Sequence, residues 1–222
     1  MTGTSETARP APEAELWTAP GCPHCPRVRA ALERLRAAGE IGALTVHDVA
    51  READRARALG IRAVPWLRLG PLELEGLHTE GELREWARAA GTVAGRAHYV
   101  EAELVAGRLE PMLRRARAAP GLWVPALLRL LEAEETDLKA RFGVAALLEQ
   151  LAAEGALAPW IDALGALTRS VRPALRADAA HYLGLTRAPS ARPWLERLLA
   201  DDHPDVREIA AESLASLGAA PG

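Results

Sequence analysis

The fold is decided by residues 17–26, which read W-T-A-P-G-C-P-H-C-P and contain the only two cysteines of the 222-residue chain. Cys22 and Cys25 stand three residues apart, and positions i and i+3 share a face of a helix, so the two sulfurs can meet at a first helical turn. A structural disulfide framework instead needs several pairs that join distant segments, and so short a loop constrains the unfolded chain very little. The spacing therefore favours redox chemistry.

Metal binding is the main alternative for this pair. A closed zinc site needs four nitrogen or sulfur ligands, and only the two thiolates and His24 are close together in the sequence. We therefore expect no metal, and no cofactor other than the redox-active disulfide itself. An incidental pair without chemistry is the third possibility.

The helix that follows the first cysteine assigns roles to the residues of the tetrapeptide. Pro23 suits the first helical position, because the amide at that position has no intrahelical partner. Cys22 would then lie at the helix cap, where unpaired amides and the positive helix end stabilise a thiolate. We expect Cys22 to attack a substrate disulfide and Cys25 to resolve the mixed disulfide. His24 can add positive charge or a hydrogen bond beside Cys22, and a solvated loop side chain is its alternative role. Pro26 would remove the first regular helix bond.

Strands and helices alternate over residues 14–91 in the order β-α-β-α-β-β-α. Thr79 and Glu82 form a capping box at the start of the last helix. The first crossover predicts parallel strand pairing, and the turn at Gly70-Pro71 predicts an antiparallel hairpin. Strands are expected at 14–19, 44–49, 65–69 and 72–75, and helices at 22–38, 51–59 and 79–90.

Beyond residue 91 the sequence is helical, and proline or glycine recurs in a way that is typical of helical repeats. Three segments align at Asp137, Ala174 and Asp205, so their starts are 37 and 31 residues apart. Each opens a helix with an aliphatic residue followed by a basic one, and Lys139 is the basic residue of the first. Amphipathic helices precede them at 122–134, 159–168 and 193–200, and a weaker pair is expected at 99–105 and 109–118.

The redox segment resembles the thioredoxin superfamily. Residues 17–26 look like the glutaredoxin-type entry to the active helix, and C-P-H-C is the tetrapeptide of the DsbA oxidases. Residues 62–66, R-A-V-P-W, match the loop that carries the cis-proline of the superfamily. The resemblance spans residues 14–91 and implies a thioredoxin-like fold in which Pro65 shapes the substrate groove. Further candidates for that groove are Pro23, Val64, Trp66 and Trp17. Core filling is the alternative role of the two tryptophans.

The sequence departs from two patterns within that superfamily. A glutaredoxin would carry a Gly-Gly-Asp-like glutathione site after the hairpin, and residues 74–78, L-E-G-L-H, lack it. Thioredoxins keep a buried aspartate six residues before the first cysteine, where this chain has Leu16. Glutathione use and the proton acceptor for Cys25 are therefore left open.

The helical half resembles HEAT repeats of the bacterial lyase-associated type over residues 120–218, most clearly in residues 195–218. This resemblance implies a right-handed stack of helix pairs with an extended face that suits a protein partner. We therefore expect an α/β thioredoxin-like domain at 14–91, followed by an all-α HEAT-like solenoid at 98–218. A flexible N-terminus is expected at 1–13 and a short link at 92–97.

The charge balance bears on the partners. The chain has 27 basic and 30 acidic residues, of which 12 and 13 lie within residues 1–90. Neither half has the basic excess that phosphate binding requires, so we expect no nucleic-acid partner. No stretch approaches the ~20 apolar residues of a membrane span. Residues 1–15 lack the apolar core of a secretory signal. We expect no membrane association and a cytoplasmic location.

These features together predict a thiol–disulfide oxidoreductase that uses the Cys22–Cys25 couple, with the helical repeats docking a protein partner. The alternative belongs to another functional class. In it the repeats are the working part of a redox sensor or scaffold, and the thioredoxin-like domain is not catalytic. An oxidoreductase turns over, whereas a sensor reacts once and changes its binding.

Overall fold

A computed structural model describes residues 10–218 of the chain. The protein divides into two compact units after Tyr99. Residues 1–9, the larger part of the expected flexible N-terminus, lie outside the described residues. The segment 92–97, which we expected to link the domains, is mostly helical, because helix α4 spans Val93–Val105.

The first unit contains the predicted order of elements. Its mixed sheet has the strand order β2-β1-β3-β4. β1 pairs in parallel with β2 and antiparallel with β3, and β3 and β4 form the expected hairpin. The strands are β1 (Ala14–Thr18), β2 (Leu44–Asp48), β3 (Trp66–Leu69) and β4 (Leu72–Glu75), and the helices are α1 (Cys25–Ala37), α2 (Ala53–Ala58) and α3 (Glu80–Ala90).

Both faces of the central strand β1 are buried, because adjacent residues of a strand point to opposite faces of the sheet. Leu16 and Trp17 are each fully buried. Ala56 of α2 packs against Trp17 and Trp66, while α1 and α3 pack against each other and against the sheet. Helices cover β1 on both faces and therefore hold the strand in place. The loop that follows its last residue starts from a fixed position.

Two sets of hydrogen bonds stabilise the C-terminal part of the first unit. The predicted capping box is present at α3: Thr79 Oγ1 accepts the Glu82 amide, and the Glu82 carboxylate accepts the Thr79 amide. The Tyr99 hydroxyl donates to the Glu73 carbonyl at 2.8 Å, and Tyr99 is 1% exposed. Tyr99 therefore packs within the first unit, although the expected second domain begins at residue 98.

The second unit is entirely helical among its described residues. α8 with α9 and α10 with α11 form successive packed pairs, and α6 packs on α7. The helices are α5 (Leu109–Ala118), α6 (Pro120–Glu132), α7 (Leu138–Ala153), α8 (Ile161–Leu167), α9 (Pro173–Leu185), α10 (Arg192–Leu198) and α11 (Pro204–Gly218). The predicted fold class, an α/β thioredoxin-like domain followed by helical repeats, is therefore confirmed.

An arginine near the start of every second helix relates the three repeats. Arg141 in α7, Arg176 in α9 and Arg207 in α11 each donate to backbone carbonyls of the preceding loop, five to eight residues earlier. These guanidinium groups satisfy carbonyls that have no partner within a helix. The repeats are therefore 35 and 31 residues apart by this measure.

The structure corrects the register of the first repeat by two residues. The sequence alignment placed Lys139 at the position that Arg141 occupies. Leu138, which we aligned with the buried Leu175, is 67% exposed, whereas Ala140 is fully buried. The planar guanidinium can donate to several carbonyls at once, and an ammonium group lacks that geometry. A pattern that treats lysine and arginine alike cannot separate the two positions.

Within residues 10–218, no helix is long and apolar enough to cross a membrane. The same residues contain no group of three or more His, Cys, Asp or Glu side chains placed to hold a metal ion.

Candidate redox site

The two cysteines lie at the end of a short loop that leaves the central strand of the sheet. β1 ends at Thr18, and the chain turns at Gly21, whose φ of 78° lies in the left-handed region that favours glycine. The Cys22 amide donates to the Ala19 carbonyl at 3.2 Å and closes the turn. Cys22 and Cys25 form a disulfide with their Cα atoms 5.6 Å apart, a normal separation for this bond.

Helix α1 begins at Cys25, later than the sequence suggested. Pro23 therefore precedes the helix, and His24 rather than Cys22 is the N-cap residue. This start also explains Pro26, which falls at the second helical position. Because the first regular bond runs from the Val28 amide to the His24 carbonyl, Pro26 removes no intrahelical hydrogen bond.

The two sulfurs differ in access and in hydrogen bonding. Cys22 is partly exposed, whereas Cys25 is only 5% exposed. The Cys25 amide lies 3.1 Å from Cys22 Sγ and donates to it. A hydrogen bond to the charged form of an acid stabilises that form. The geometry thus provides one accessible sulfur with an amide donor and one sheltered sulfur beside it.

The fold brings the proline loop, 42 residues later, against this pair. Cys22 Sγ lies 3.9 Å from the Val64 carbonyl oxygen. The Val64–Pro65 peptide bond is cis, as the resemblance implied. Pro65 is buried, and its carbonyl accepts the Gly76 amide at 2.8 Å. Val64 and Pro65 therefore border the accessible sulfur.

The two residues between the cysteines face the solvent. Pro23 and His24 are exposed. The His24 side chain makes no N-cap hydrogen bond, and it has no hydrogen-bond partner among residues 10–218. It is therefore free to interact with the sulfur or with an incoming substrate.

Trp17 and Trp66 occupy a different environment from the other groove candidates. They are 0% and 2% exposed and belong to one apolar cluster with Ala56. The guanidinium of Arg55 lies 5.2 Å from the Trp17 ring centroid, and that of Arg68 lies 5.4 Å from the Trp66 centroid. Such burial favours the core-filling role of both tryptophans.

Sequence reasoning gave no role to His47, which stacks on Trp17 with ring centroids 4.6 Å apart. His47 is 9% exposed, and its Nδ1 forms a 2.7 Å hydrogen bond with Glu52. This hydrogen bond holds the pKa of the Glu52 carboxyl below its ordinary value. The parallel register of β1 and β2 pairs Trp17 with His47, so no local pattern in the sequence could have joined them.

A second feature missed by sequence reasoning is a cavity of about 360 Å³ between α1 and the start of α3. Arg27 and Arg34 lie on its α1 wall, and residues 77–80 form the other wall. The sequence contained a signal for this cavity wall: Arg27 and Arg34 are seven residues apart, and residues at that spacing share a face of a helix. Arg27 follows Cys25 by two residues, so one end of the cavity lining is close to the cysteine pair in the sequence.

The comparisons with known proteins agree with this division of the chain. Residues 15–88 match the family model described as the thioredoxin domain, and residues 161–221 match that described as HEAT repeats. The HEAT match covers the last two helix pairs of the wider span, 120–218, over which the resemblance was seen. No curated protein matches the chain. The protein thus combines an N-terminal thioredoxin-like domain with a C-terminal region of HEAT-like repeats.

Proposed function

We propose that the protein is a thiol–disulfide oxidoreductase that acts through the Cys22–Cys25 couple. In the reducing direction the Cys22 thiolate attacks one sulfur of a substrate disulfide, and the other substrate sulfur leaves as a thiolate. The Cys25 thiolate then attacks Cys22 Sγ and releases the first substrate sulfur. Two electrons and two protons pass to the substrate, and the protein is left with the disulfide seen here. The reverse sequence oxidises a substrate dithiol.

The observation that carries this proposal is the asymmetry of the two sulfurs. The nucleophile in thiol–disulfide exchange is a thiolate, and its rate depends on access as well as on ionisation. Cys22 is partly exposed and receives the Cys25 amide at 3.1 Å. Cys25 is 5% exposed, which suits a thiol that attacks only within the protein. We therefore assign Cys22 as the nucleophile and Cys25 as the resolving thiol.

The residues around Cys22 support a shallow groove for an extended substrate. The Val64 carbonyl at 3.9 Å from Cys22 Sγ can accept a hydrogen bond from a substrate backbone. Pro65 fixes the course of that loop, and the exposed Pro23 supplies an apolar edge. We propose that His24, which is exposed and lies between the two cysteines in the sequence, stabilises the Cys22 thiolate through its charge or a hydrogen bond.

Protein disulfides suit the site better than glutathione. The segment after the hairpin leads into α3, whose first turn is already capped by the protein itself. The Thr79 amide donates to the Glu82 carboxylate at 2.7 Å, and the Glu82 amide donates to Thr79 Oγ1 at 3.3 Å. These donors are therefore not available to the carboxylates of glutathione at that helix end.

We also propose that the helical repeats hold a protein partner, which is the general role of HEAT repeats. α7 supports this, since Leu138 and Phe142, one turn apart, are 67% and 69% exposed. Large apolar side chains in such positions often mark interaction sites. The same observation favours the second candidate function, a redox-sensing scaffold that binds a partner without turnover. The cytoplasmic location stays a prediction.

Trapping of mixed disulfides tests the proposed function. With a disulfide-bonded model protein as substrate, the Cys25→Ala variant should accumulate a covalent mixed disulfide on non-reducing gels, because the resolving thiol is missing. The Cys22→Ala variant is the matched control and should trap little, since Cys25 is buried. Equal trapping by the two variants would contradict the assignment of roles. Failure of the wild-type protein to turn over with dithiothreitol as reductant would favour the scaffold.

A further inference from the structure

The cavity between α1 and α3 forms a groove beside the redox pair, here called the α1–α3 groove. Arg27 and Arg34 stand at its two ends along α1, and Ala30 and Ala31 form the floor between them. Leu77 to Glu80 form the opposite wall. The small alanine side chains leave a volume of about 360 Å³. The groove is thus open, lined on one side by basic residues, and large enough for several side chains.

The charges of the groove are not evenly balanced. Arg34 Nε donates to Glu80 Oε2 at 2.6 Å, and Arg84 Nη2 donates to the other Glu80 oxygen at 2.8 Å. Both hydrogen bonds lower the pKa of the Glu80 carboxyl, and the bond from Arg34 has the larger effect. Glu80 is therefore satisfied by two guanidinium groups. Arg27 is exposed and forms no ion pair with any residue between 10 and 218.

The unpaired charge lies at the end of the groove that is nearest to the disulfide along the helix. Arg27 follows Cys25 by two residues, whereas Arg34 lies two turns farther. Seven helical residues span roughly 10 Å at ~1.5 Å each. An extended polypeptide rises about 3.3 Å per residue, so the groove has room for roughly three residues.

We propose that the α1–α3 groove binds an acidic stretch of a polypeptide substrate next to its reactive disulfide, with a substrate carboxylate on Arg27. A guanidinium group is suited to a carboxylate because its planar donors match the two oxygens. The groove length favours a peptide strand over a compact ligand. This inference rests on the proposed oxidoreductase function and adds the substrate class to it.

The test uses the full-length protein, reduced with dithiothreitol and then freed of it, in a single turnover with synthetic peptide disulfides. Three peptides carry acidic, neutral or basic residues beside the disulfide, and glutathione disulfide serves as a small carboxylate-bearing disulfide. Rates are compared between wild-type and variant protein on the same substrate, so that intrinsic differences between peptides cancel.

Arg27→Glu should slow exchange with the acidic peptide about fivefold, because one attraction is lost and a repulsion is added. It should speed exchange with the basic peptide, and the rate with the neutral peptide measures any general effect of the charge change on the thiols, to which the other two rates are referred. Added salt should shrink these differences, since exposed charges are screened. Arg29→Glu is the control variant, because Arg29 is exposed on the same helix, pairs with Glu33 and does not line the groove. Its rates should equal those of the wild type.

Ala30→Gln gives an independent test, because a longer side chain at this partly exposed position would fill the groove without changing its charge. It should slow the acidic peptide and leave glutathione disulfide unchanged. Equal effects of Arg27→Glu and Arg29→Glu would overturn the proposed groove while leaving the oxidoreductase standing. A loss with glutathione disulfide as large as that with the acidic peptide would overturn the polypeptide substrate class. Absence of exchange between wild-type protein and the neutral peptide would overturn the oxidoreductase and the groove together.

Discussion

The two units of the protein use arginine in opposite ways. In the repeat unit, the Arg176 side chain is 10% exposed and donates to Asp201, Asp202 and two backbone carbonyls. In the thioredoxin-like unit, Arg27 is exposed and has no ion pair among the described residues. A buried charge must be fully paired to be tolerated, whereas an exposed unpaired charge contributes little to stability. The difference indicates that Arg176 stabilises the fold and that Arg27 is available for a ligand.

The largest expected effect follows from removing the buried charge. Arg176→Met should destabilise the repeat unit by about 3–5 kcal/mol, because the Asp201 carboxylate, 8% exposed, is left without its partner. Urea unfolding followed by circular dichroism would measure the loss. Hydrogen exchange of peptides from α9 and α11 would locate it in the repeats.

Arg207→Met is the matched control, since among residues 10–218 the Arg207 guanidinium donates only to the carbonyls of Asp201 and Asp202, and these bonds are exposed. Its cost should be about 1 kcal/mol. Thiol–disulfide exchange by both variants should be unchanged with a small substrate. If Arg176→Met were as stable as Arg207→Met, the conclusion that the buried Arg176 stabilises the repeat unit would be wrong.

A smaller loss of folding stability is expected when the pH is lowered. The hydrogen bond from Arg176 lowers the pKa of Asp201 in the folded protein, below the value of ~3.9 in the unfolded chain. The ionised carboxylate therefore adds stability that is complete above about pH 5 and is lost as pH falls toward the folded pKa. The loss should be less than that of Arg176→Met, since Asp202 still accepts from Arg176 at 2.5 Å.

Urea midpoints measured from pH 7 to pH 3 would show this dependence. The decline on acidification should be steeper in the wild type than in Arg176→Met, where Asp201 has lost the partner that depresses its pKa. Parallel curves for the two proteins would show that other carboxylates account for acid unfolding.

The smallest effect is expected from replacing an exposed side chain of the thioredoxin-like unit, His24. His24→Ala should leave urea stability unchanged, because the side chain has no described partner, and should lower the reduction potential of the disulfide. Loss of one hydrogen bond to the thiolate would correspond to about 30 mV on the two-electron scale. Equilibration with glutathione redox buffers would measure the shift. A potential equal to that of the wild type would return His24 to a solvated loop side chain.

Local sequence signals predicted the elements of the first unit closely. The capping box at Thr79 and Glu82 and the hairpin turn at Gly70 both form as expected. These features depend on residues within one turn, so neighbours in the sequence are sufficient to specify them. The start of α1 was placed too early, because a proline can occupy either of the first two helical positions, and this chain has a proline on each side of His24 and Cys25.

Features that join distant segments were predicted less well. Trp17 was considered for the substrate groove, yet the pairing of β1 with β2 and β3 places it beneath Ala56 and beside His47. Arg141 was overlooked in favour of Lys139, since only the carbonyls of the preceding loop distinguish the two. The contacts of Trp17 come from residues that are distant in the chain. Those of Arg141 come from carbonyls only five to eight residues away, but they depend on the loop conformation, which a residue pattern does not specify.

The sequence by itself determined the spacing of the cysteine pair and the two kinds of fold. The i, i+3 spacing of Cys22 and Cys25 and the helical periodicity of the second half are local properties of the chain. Only the tertiary structure decided that Cys22 is the more exposed of the two cysteines and that the Val64 carbonyl, 42 residues away in the chain, lies near its sulfur. It also decided which charged side chains are paired: Arg176 binds Asp201, 25 residues later in the chain, while Arg27 forms no ion pair with the residues that the structure describes. Pairing between distant residues depends on how the chain folds back on itself, and no periodicity within one helix records it.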